Sequence, residues 1–166
     1  MNGTKHILSI LVDNQPGVLS RIAGLFSGRG YNIESLCVAA TTDPQVSRLT
    51  MVTVGDEDIV EQIQKQLNKL INVIKVIDLT GTQYVQRELV LIQVRAKPEN
   101  RAEILRIVDI FRGKVVDVGA ENYMIEVTGS EEKLAAILML LKPLGIKEIA
   151  RTGPIALQRD VNSKNK

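Results

Sequence analysis

Asn14, Pro16 and Gly17 stand together in the run VDNQPGVLS, Val12 to Ser20, and their types and spacing offer backbone chemistry to a ligand. Pro16 suits the first position of a helix, because its fixed φ matches the helix and its missing N–H would have had no intrahelical partner. Gly17 follows with no side chain, so the free N–H groups of the next residues can face outward. There the positive end of the helix dipole favours an anion such as an amino-acid carboxylate. Asn14 offers a carbonyl to a ligand's ammonium and an amide to its carboxylate. The same residues also read as an ordinary helix start, with Asp13 or Asn14 capping and Gly17 giving local freedom.

Other chemistry is sparse. An enzyme needs a nucleophile, an acid and base pair, a metal cluster or a cofactor cradle, and none stands out. His6 reads as an edge or surface histidine, and Cys37 as a small packed residue within an apolar strand. Gly28 and Gly30 form a GxG that follows a helix and enters a strand, the reverse of the order in a dinucleotide fingerprint. Glu57, Asp58 and Glu61 read as the acidic first turn of a helix.

Composition sets the frame. The 166 residues are 45% hydrophobic and 24% charged, enough apolar content for one ordinary domain or two small ones. The net charge of +2 comes from scattered Lys and Arg apart from a basic ending at Lys164 and Lys166, and aromatic residues are 3% with no Trp. Nucleic-acid binding, which draws on basic stripes and stacking rings, is not expected. A single Cys37 excludes an intrachain disulfide and a multi-cysteine zinc site. The apolar stretch before Asp13 is too short for a secretory signal, and no run reaches the roughly 18 apolar residues of a membrane span. A soluble protein of the reducing cytoplasm, with no membrane contact, is the expectation.

The elements that hold Asn14 and Gly17 follow from periodicity. His6–Val12 is a strand, and Val18, Leu19, Ile22, Ala23 and Phe26 make one face of the helix after it. Tyr31–Ala40 and Ser47–Val54 form a hairpin about a turn at Thr41–Gln45. A second helix presents Val60, Ile63, Leu67 and Leu70, and Val73–Leu79 is a strand. That order is βαββαβ, with helices covering one face of an antiparallel sheet. The pattern then repeats: a strand at Arg87–Ala96, a helix with Ile104, Leu105, Val108 and Phe111, strands at Lys114–Val118 and Tyr123–Thr128, a helix with Leu134, Ile137, Leu138 and Leu141 stopped by Pro143 and Gly145, and a strand at Ile146–Arg151. The step from Pro16 to Pro98 nearly equals the step from Gly30 to Gly113, a regularity that indicates two tandem units. The expected fold class is α+β, with two ferredoxin-like units at 4–80 and 84–158 and a mobile tail at 159–166. Where the first unit has Asn14, Gln15, Pro16 and Gly17, the second has Ala96, Lys97, Pro98 and Glu99. It lacks the glycine and carries a carboxylate that would repel an anion, so an amino-acid site of this type belongs to the first unit.

A Pro-Gly turn at the first helix of a βαββαβ unit resembles the ACT domain, a module that often senses amino acids. Asp13–Leu36 (DNQPGVLSRIAGLFSGRGYNIESL), Glu61–Val76 (EQIQKQLNKLINVIKV), Gln86–Val94 (QRELVLIQV) and Ile146–Leu157 (IKEIARTGPIAL) together resemble the regulatory, or small, subunits of acetolactate synthase, in order along nearly the whole chain. The resemblance implies a non-catalytic subunit. It would activate a separate thiamine-diphosphate catalytic large subunit in branched-chain amino-acid synthesis and confer feedback inhibition by valine. It also implies that thiamine diphosphate, Mg²⁺ and FAD belong to that partner, with no cofactor in this chain. Carried over residue by residue, valine would lie between the first ACT domains of a homodimer. Asn14, Gly17, Val18 and Leu19 would come from one protomer, Asn32 and Ile33 from the other, and Ser20 would support the turn. Asn32 also reads as a turn residue and Ile33 as a core residue. The competing class is an amino-acid-responsive transcription regulator with a similar sensor, which should add a helix-turn-helix or another basic module.

Overall fold

The computed structural model describes residues 4–160. It divides into two compact units: the described residues up to Val85 together with those from Pro154 onward, and Gln86–Gly153.

In the first unit the order is β1 (Thr4–Asp13), α1 (Val18–Ser27), β2 (Ile33–Ala40), β3 (Val46–Gly55), α2 (Glu57–Leu67) and β4 (Val73–Asp78). The strands form one antiparallel sheet in the order β2-β3-β1-β4. Strand alternation sends Leu8, Ile10 and Val12 to the helical side. There they are buried with Val18, Ile22 and Phe26 of α1 and Val60, Ile63 and Leu67 of α2, the residues spaced three or four apart on each helix. Leu19 and Ala23, expected on the inner face of α1, are exposed. The opposite sheet face has its own small core of Ile7, Val52, Leu79 and Ala156.

Ala156 belongs to β9 (Ile155–Gln158), a strand not expected from the sequence. Pro154 to Gln158, expected within a second domain ending at residue 158, pack with the first unit instead. Ala156 is 3% exposed against Ile7, and the Arg159 N–H donates to the Gln83 carbonyl at 2.8 Å. Of the tail expected at 159–166, the part from Val161 lies outside the described residues.

The second unit repeats the plan with β5 (Tyr84–Arg95), whose first two residues lie in the first unit, then α3 (Arg101–Ile110), β6 (Lys114–Val118), β7 (Asn122–Gly129), α4 (Glu131–Gly145) and β8 (Ile146–Arg151), in the sheet order β6-β7-β5-β8. Val90, Ile92 and Val94 of β5 meet Ile104, Ile107 and Val108 of α3 and Leu134, Ile137 and Leu141 of α4. Ile107 takes the inward place expected of Leu105, which is exposed. Pro143 does not stop α4: it sits inside the last turn, where the one hydrogen bond it forfeits is tolerated, and Gly145 at φ +98 ends the helix. The α+β class and the two βαββαβ units expected from periodicity are what the chain adopts.

Candidate functional site

The chain leaves β1 at Asp13 and enters α1 at Val18, so Pro16 is a turn residue and not the first helical one. Gly17 occupies the N-cap at φ +84 and ψ −10, the left-handed region that a side-chain-bearing residue adopts at a cost. A Cβ placed on Gly17 would meet nothing within 4 Å, so the backbone angle, not crowding, is what calls for glycine. The turn therefore opens onto free space.

This turn is braced from two sides. Asn14 donates from its backbone N–H to the Gln45 carbonyl at 2.7 Å and from Nδ2 to the Pro44 carbonyl at 2.9 Å, tying it to the β2–β3 turn. One amide hydrogen of Asn14, read as free for a ligand, is thus engaged, while its Oδ1 and second hydrogen have no partner among the described residues. On the other side the Asp13 N–H donates to the Asn72 carbonyl at 2.9 Å, Asn72 Nδ2 donates to Asp13 Oδ2 at 3.2 Å, and Arg21 Nη1 donates to Asn72 Oδ1 at 2.6 Å. Sequence reasoning missed Asn72. Its partners Asp13 and Arg21 are remote along the chain, and only the asparagine-rich LNKLIN stretch before β4 hinted at a turn.

The opening of α1 is electrostatically uncompensated. It has no side-chain cap and no acidic residue in its first turn, whereas α2 has Glu57 and Asp58, α3 has Glu103 and α4 has Glu131 and Glu132. The Val18 N–H reaches only the Gln15 carbonyl at 3.4 Å and Arg21 bonds to Gly17, leaving the N–H groups of Leu19 and Ser20 without an acceptor among the described residues. Free donors at the positive end of a helix dipole suit an anion. Val18 itself is 5% exposed, so its side chain is core and only its backbone faces the opening. Leu19 and Ser20 are exposed beside it.

Asn32 and Ile33 are elsewhere. Asn32 is exposed just before β2, and its carbonyl accepts from Thr53 Oγ1 at 2.7 Å. Ile33 is half-buried against the helical core. Ile33 pairs with Thr53 and Thr53 with His6, whereas Ala40 pairs with Ser47 and Ser47 with Val12. The two halves of the expected site thus stand at opposite ends of one sheet, about six strand residues or roughly 20 Å apart. No single amino acid spans that distance.

His6 also differs from expectation. β1 is an interior strand and His6 is 4% exposed, with both ring nitrogens lacking a hydrogen bond and Nδ1 3.7 Å from Asp78 Oδ2. Cys37 is half-buried on the edge strand β2. Among the described residues no group of three or more His, Cys, Asp or Glu is arranged to hold a metal, and no helix is long and apolar enough to cross a membrane.

Comparison with known proteins gives a consistent match. Residues 8–75 match the family model of the AHAS small subunit-like ACT domain, and residues 87–160 that of the small subunit of acetolactate synthase. The chain is 52% identical to the acetolactate synthase small subunit of Aquifex aeolicus over 162 residues, covering 96% of this chain and 84% of that one. It is likewise 52% identical to a probable acetolactate synthase small subunit of Archaeoglobus fulgidus over 155 residues, covering 93% and 97%. The crystal structure of the acetolactate synthase small subunit from Thermotoga maritima superposes with a TM-score of 0.87 at 43% identity, covering 94% of this chain and 98% of that one.

Proposed function

The chain belongs to the family of acetolactate synthase small subunits, and from that membership we infer that it activates a separate catalytic large subunit in the cytoplasm and makes it sensitive to valine. Thiamine diphosphate, Mg²⁺ and FAD would be the catalytic subunit's, and this chain would act as the regulatory partner.

The observation that carries the reading is the separation of the two half-sites. β2 is an edge strand, with one side of its backbone unpaired. Two copies joined edge to edge by a two-fold axis pair their β2 strands antiparallel, setting Ile33 of one beside Ala40 of the other. Ala40 lies at the end of the sheet where the 13–17 turn is tied to Pro44 and Gln45. Asn32 and Ile33 of one protomer thereby approach Asn14, Gly17, Leu19 and the Val18 backbone of its partner, with Ser20 adding a free donor. The valine carboxylate meets the helix opening, Asn14 Oδ1 accepts from the ammonium, and Ile33 and Leu19 supply apolar contact.

Valine held across that interface favours one arrangement of the dimer, and linkage requires that the arrangement supporting the catalytic subunit less well binds valine better. A tenfold loss of activation needs only about 1.4 kcal/mol of differential free energy. The test mixes purified chain with catalytic subunit and assays acetolactate formation with and without valine. Activation that valine reverses is expected, and pyruvate turnover by this chain alone would overturn the reading. Sedimentation at micromolar concentration should give a dimer, and a strict monomer in the presence of valine would remove the shared site.

A further inference from the structure

The second unit holds a depression of about 380 Å³ at its own helix opening, where β5 ends and α3 begins, and its walls are cationic. We propose that this depression binds a small, multiply charged oxyanion, such as a phosphate or polycarboxylate group.

Arg95, Lys97 and Lys147 line it, opposed by the single carboxylate of Glu121. Ion pairs elsewhere among the described residues join Lys65 to Glu61, Arg106 to Glu103 and Arg151 to Glu88, whereas these three cations have no carboxylate partner among the described residues. Three unpaired cations around one concavity repel one another, and a bound polyanion relieves that repulsion.

The backbone that carries these exposed cations is braced by hydrogen bonds. Arg101 donates from Nε to the Ala96 carbonyl at 2.9 Å and from Nη2 to the Ala120 carbonyl at 2.7 Å, and its guanidinium lies 5.9 Å from the centre of the Tyr123 ring. The Ala96 N–H donates to the Glu121 carbonyl at 2.8 Å, closing the β5 end onto the β6–β7 turn. Gly145, at φ +98, turns the chain against the Arg95 stem, so close that a Cβ there would stand 3.4 Å from Arg95 Cδ. Glu99, which from sequence alone argued against an anion here, is exposed and not part of the lining. The volume suits a small molecule.

The test is an amide-resolved NMR titration of the full chain with pyrophosphate and, separately, citrate, against sodium chloride at matched ionic strength. Saturable shifts at Ala96, Lys97, Glu121 and Asn122 are expected below about 1 mM, with affinity falling at least about tenfold in the Lys97→Gln, Lys147→Gln double variant. Both positions are exposed, and the spectrum itself reports whether the variant is folded. A response to pyrophosphate alone identifies a phosphate ligand, and a tighter response to citrate identifies a carboxylate one. Unsaturable drift matching that of chloride, or saturation unchanged in the double variant, would overturn the proposal. So would perturbation of these amides by the catalytic subunit when neither anion acts, which would make the depression a protein contact.

Discussion

Two pairs of residues at the same place in the two units show how differently one fold can be finished. His6 precedes Leu8 by two residues on β1, as Glu88 precedes Val90 on β5, and both face the helical layer at 4% exposure. Opposite Leu8 stands Asp78, and opposite Val90 stands Arg151. The first unit thus sets a histidine on its first strand against a carboxylate on its last, and the second unit sets a carboxylate on its first strand against an arginine on its last. In the second unit the pair is closed: Arg151 Nε and Nη2 donate to the two Glu88 oxygens at 2.7 and 2.8 Å, and this bonding raises the Arg151 pKa above the usual arginine value against the opposing effect of burial. In the first unit it is open, with 3.7 Å between His6 and Asp78, whose oxygens instead accept from the Thr80 N–H and from Gln64. The second unit is locked by a bidentate bond, whereas the first keeps polar groups whose partners are incomplete.

That contrast is broken most directly by Arg151→Ala, which leaves the buried Glu88 carboxylate without its partner. A loss of about 2 to 3 kcal/mol is expected in urea unfolding, below the figure for a fully buried pair because the Arg151 side chain is 48% exposed. Replacing both members by leucine should recover most of it. A loss no greater than that of an ordinary exposed ion pair would mean the bidentate bond contributes little.

Gly17→Asp addresses the other difference between the units, the backbone at the helix opening. Nothing crowds a Cβ there, and aspartate tolerates φ near +84 better than most residues, so the fold and the activation of the catalytic subunit should survive. The added charge would oppose the valine carboxylate at the uncompensated start of α1. Losing one charge-assisted hydrogen bond costs about 1.5 to 3 kcal/mol, so the valine concentration for half-inhibition should rise at least about tenfold. Unaltered inhibition in a folded, activating variant would move the site away from this turn.

The buried faces were largely legible in the sequence, although Leu19, Ala23 and Leu105, placed inward by the same periodicity, are exposed. Val18, Ile22 and Phe26, or Val90, Ile92 and Val94, declare themselves because local periodicity reports directly which face is buried. The left-handed angle of Gly17 does not, since a glycine in a string looks the same whether it is flexible or held at positive φ. β9 is too short to show alternation, and it is positioned by Ile7, Val52 and Leu79, all remote from it along the chain. The burial of His6 follows from β1 lying between β3 and β4, a fact of sheet order that no local window contains.

His6→Leu gives a smaller effect of opposite sign. It removes two buried ring nitrogens that have no hydrogen bond, while Asp78 keeps its bonds to Thr80 and Gln64. Stability should hold or rise by up to about 1 kcal/mol, because an unsatisfied buried polar group is a cost. A loss of more than about 1 kcal/mol, the size of a working hydrogen bond, would show that the 3.7 Å approach is a functioning pair and that the two units are less unlike than their distances suggest.

The smallest effect should come from Glu99→Gly, which gives the second helix opening the residue type found at Gly17. If glycine alone made the site, this change would create a second one. Its backbone says otherwise: Glu99 is not at positive φ, and the N-cap of α3 is Asn100 at φ −113 and ψ −3, where α1 has a left-handed glycine. Freedom to adopt a left-handed angle does not impose it. Asn100 Nδ2 is already directed to the Arg95 and Leu144 carbonyls at 3.1 and 3.4 Å, and Arg101 holds the Ala96 carbonyl, so the turn has no reason to rearrange. Glu103 also remains in the first turn of α3, offsetting the dipole that α1 leaves bare. Valine inhibition of the reconstituted enzyme should therefore shift by less than about twofold, or roughly 0.4 kcal/mol. A larger shift, in either direction, would show that the second opening takes part in valine sensing and that the two units share a function as well as a topology.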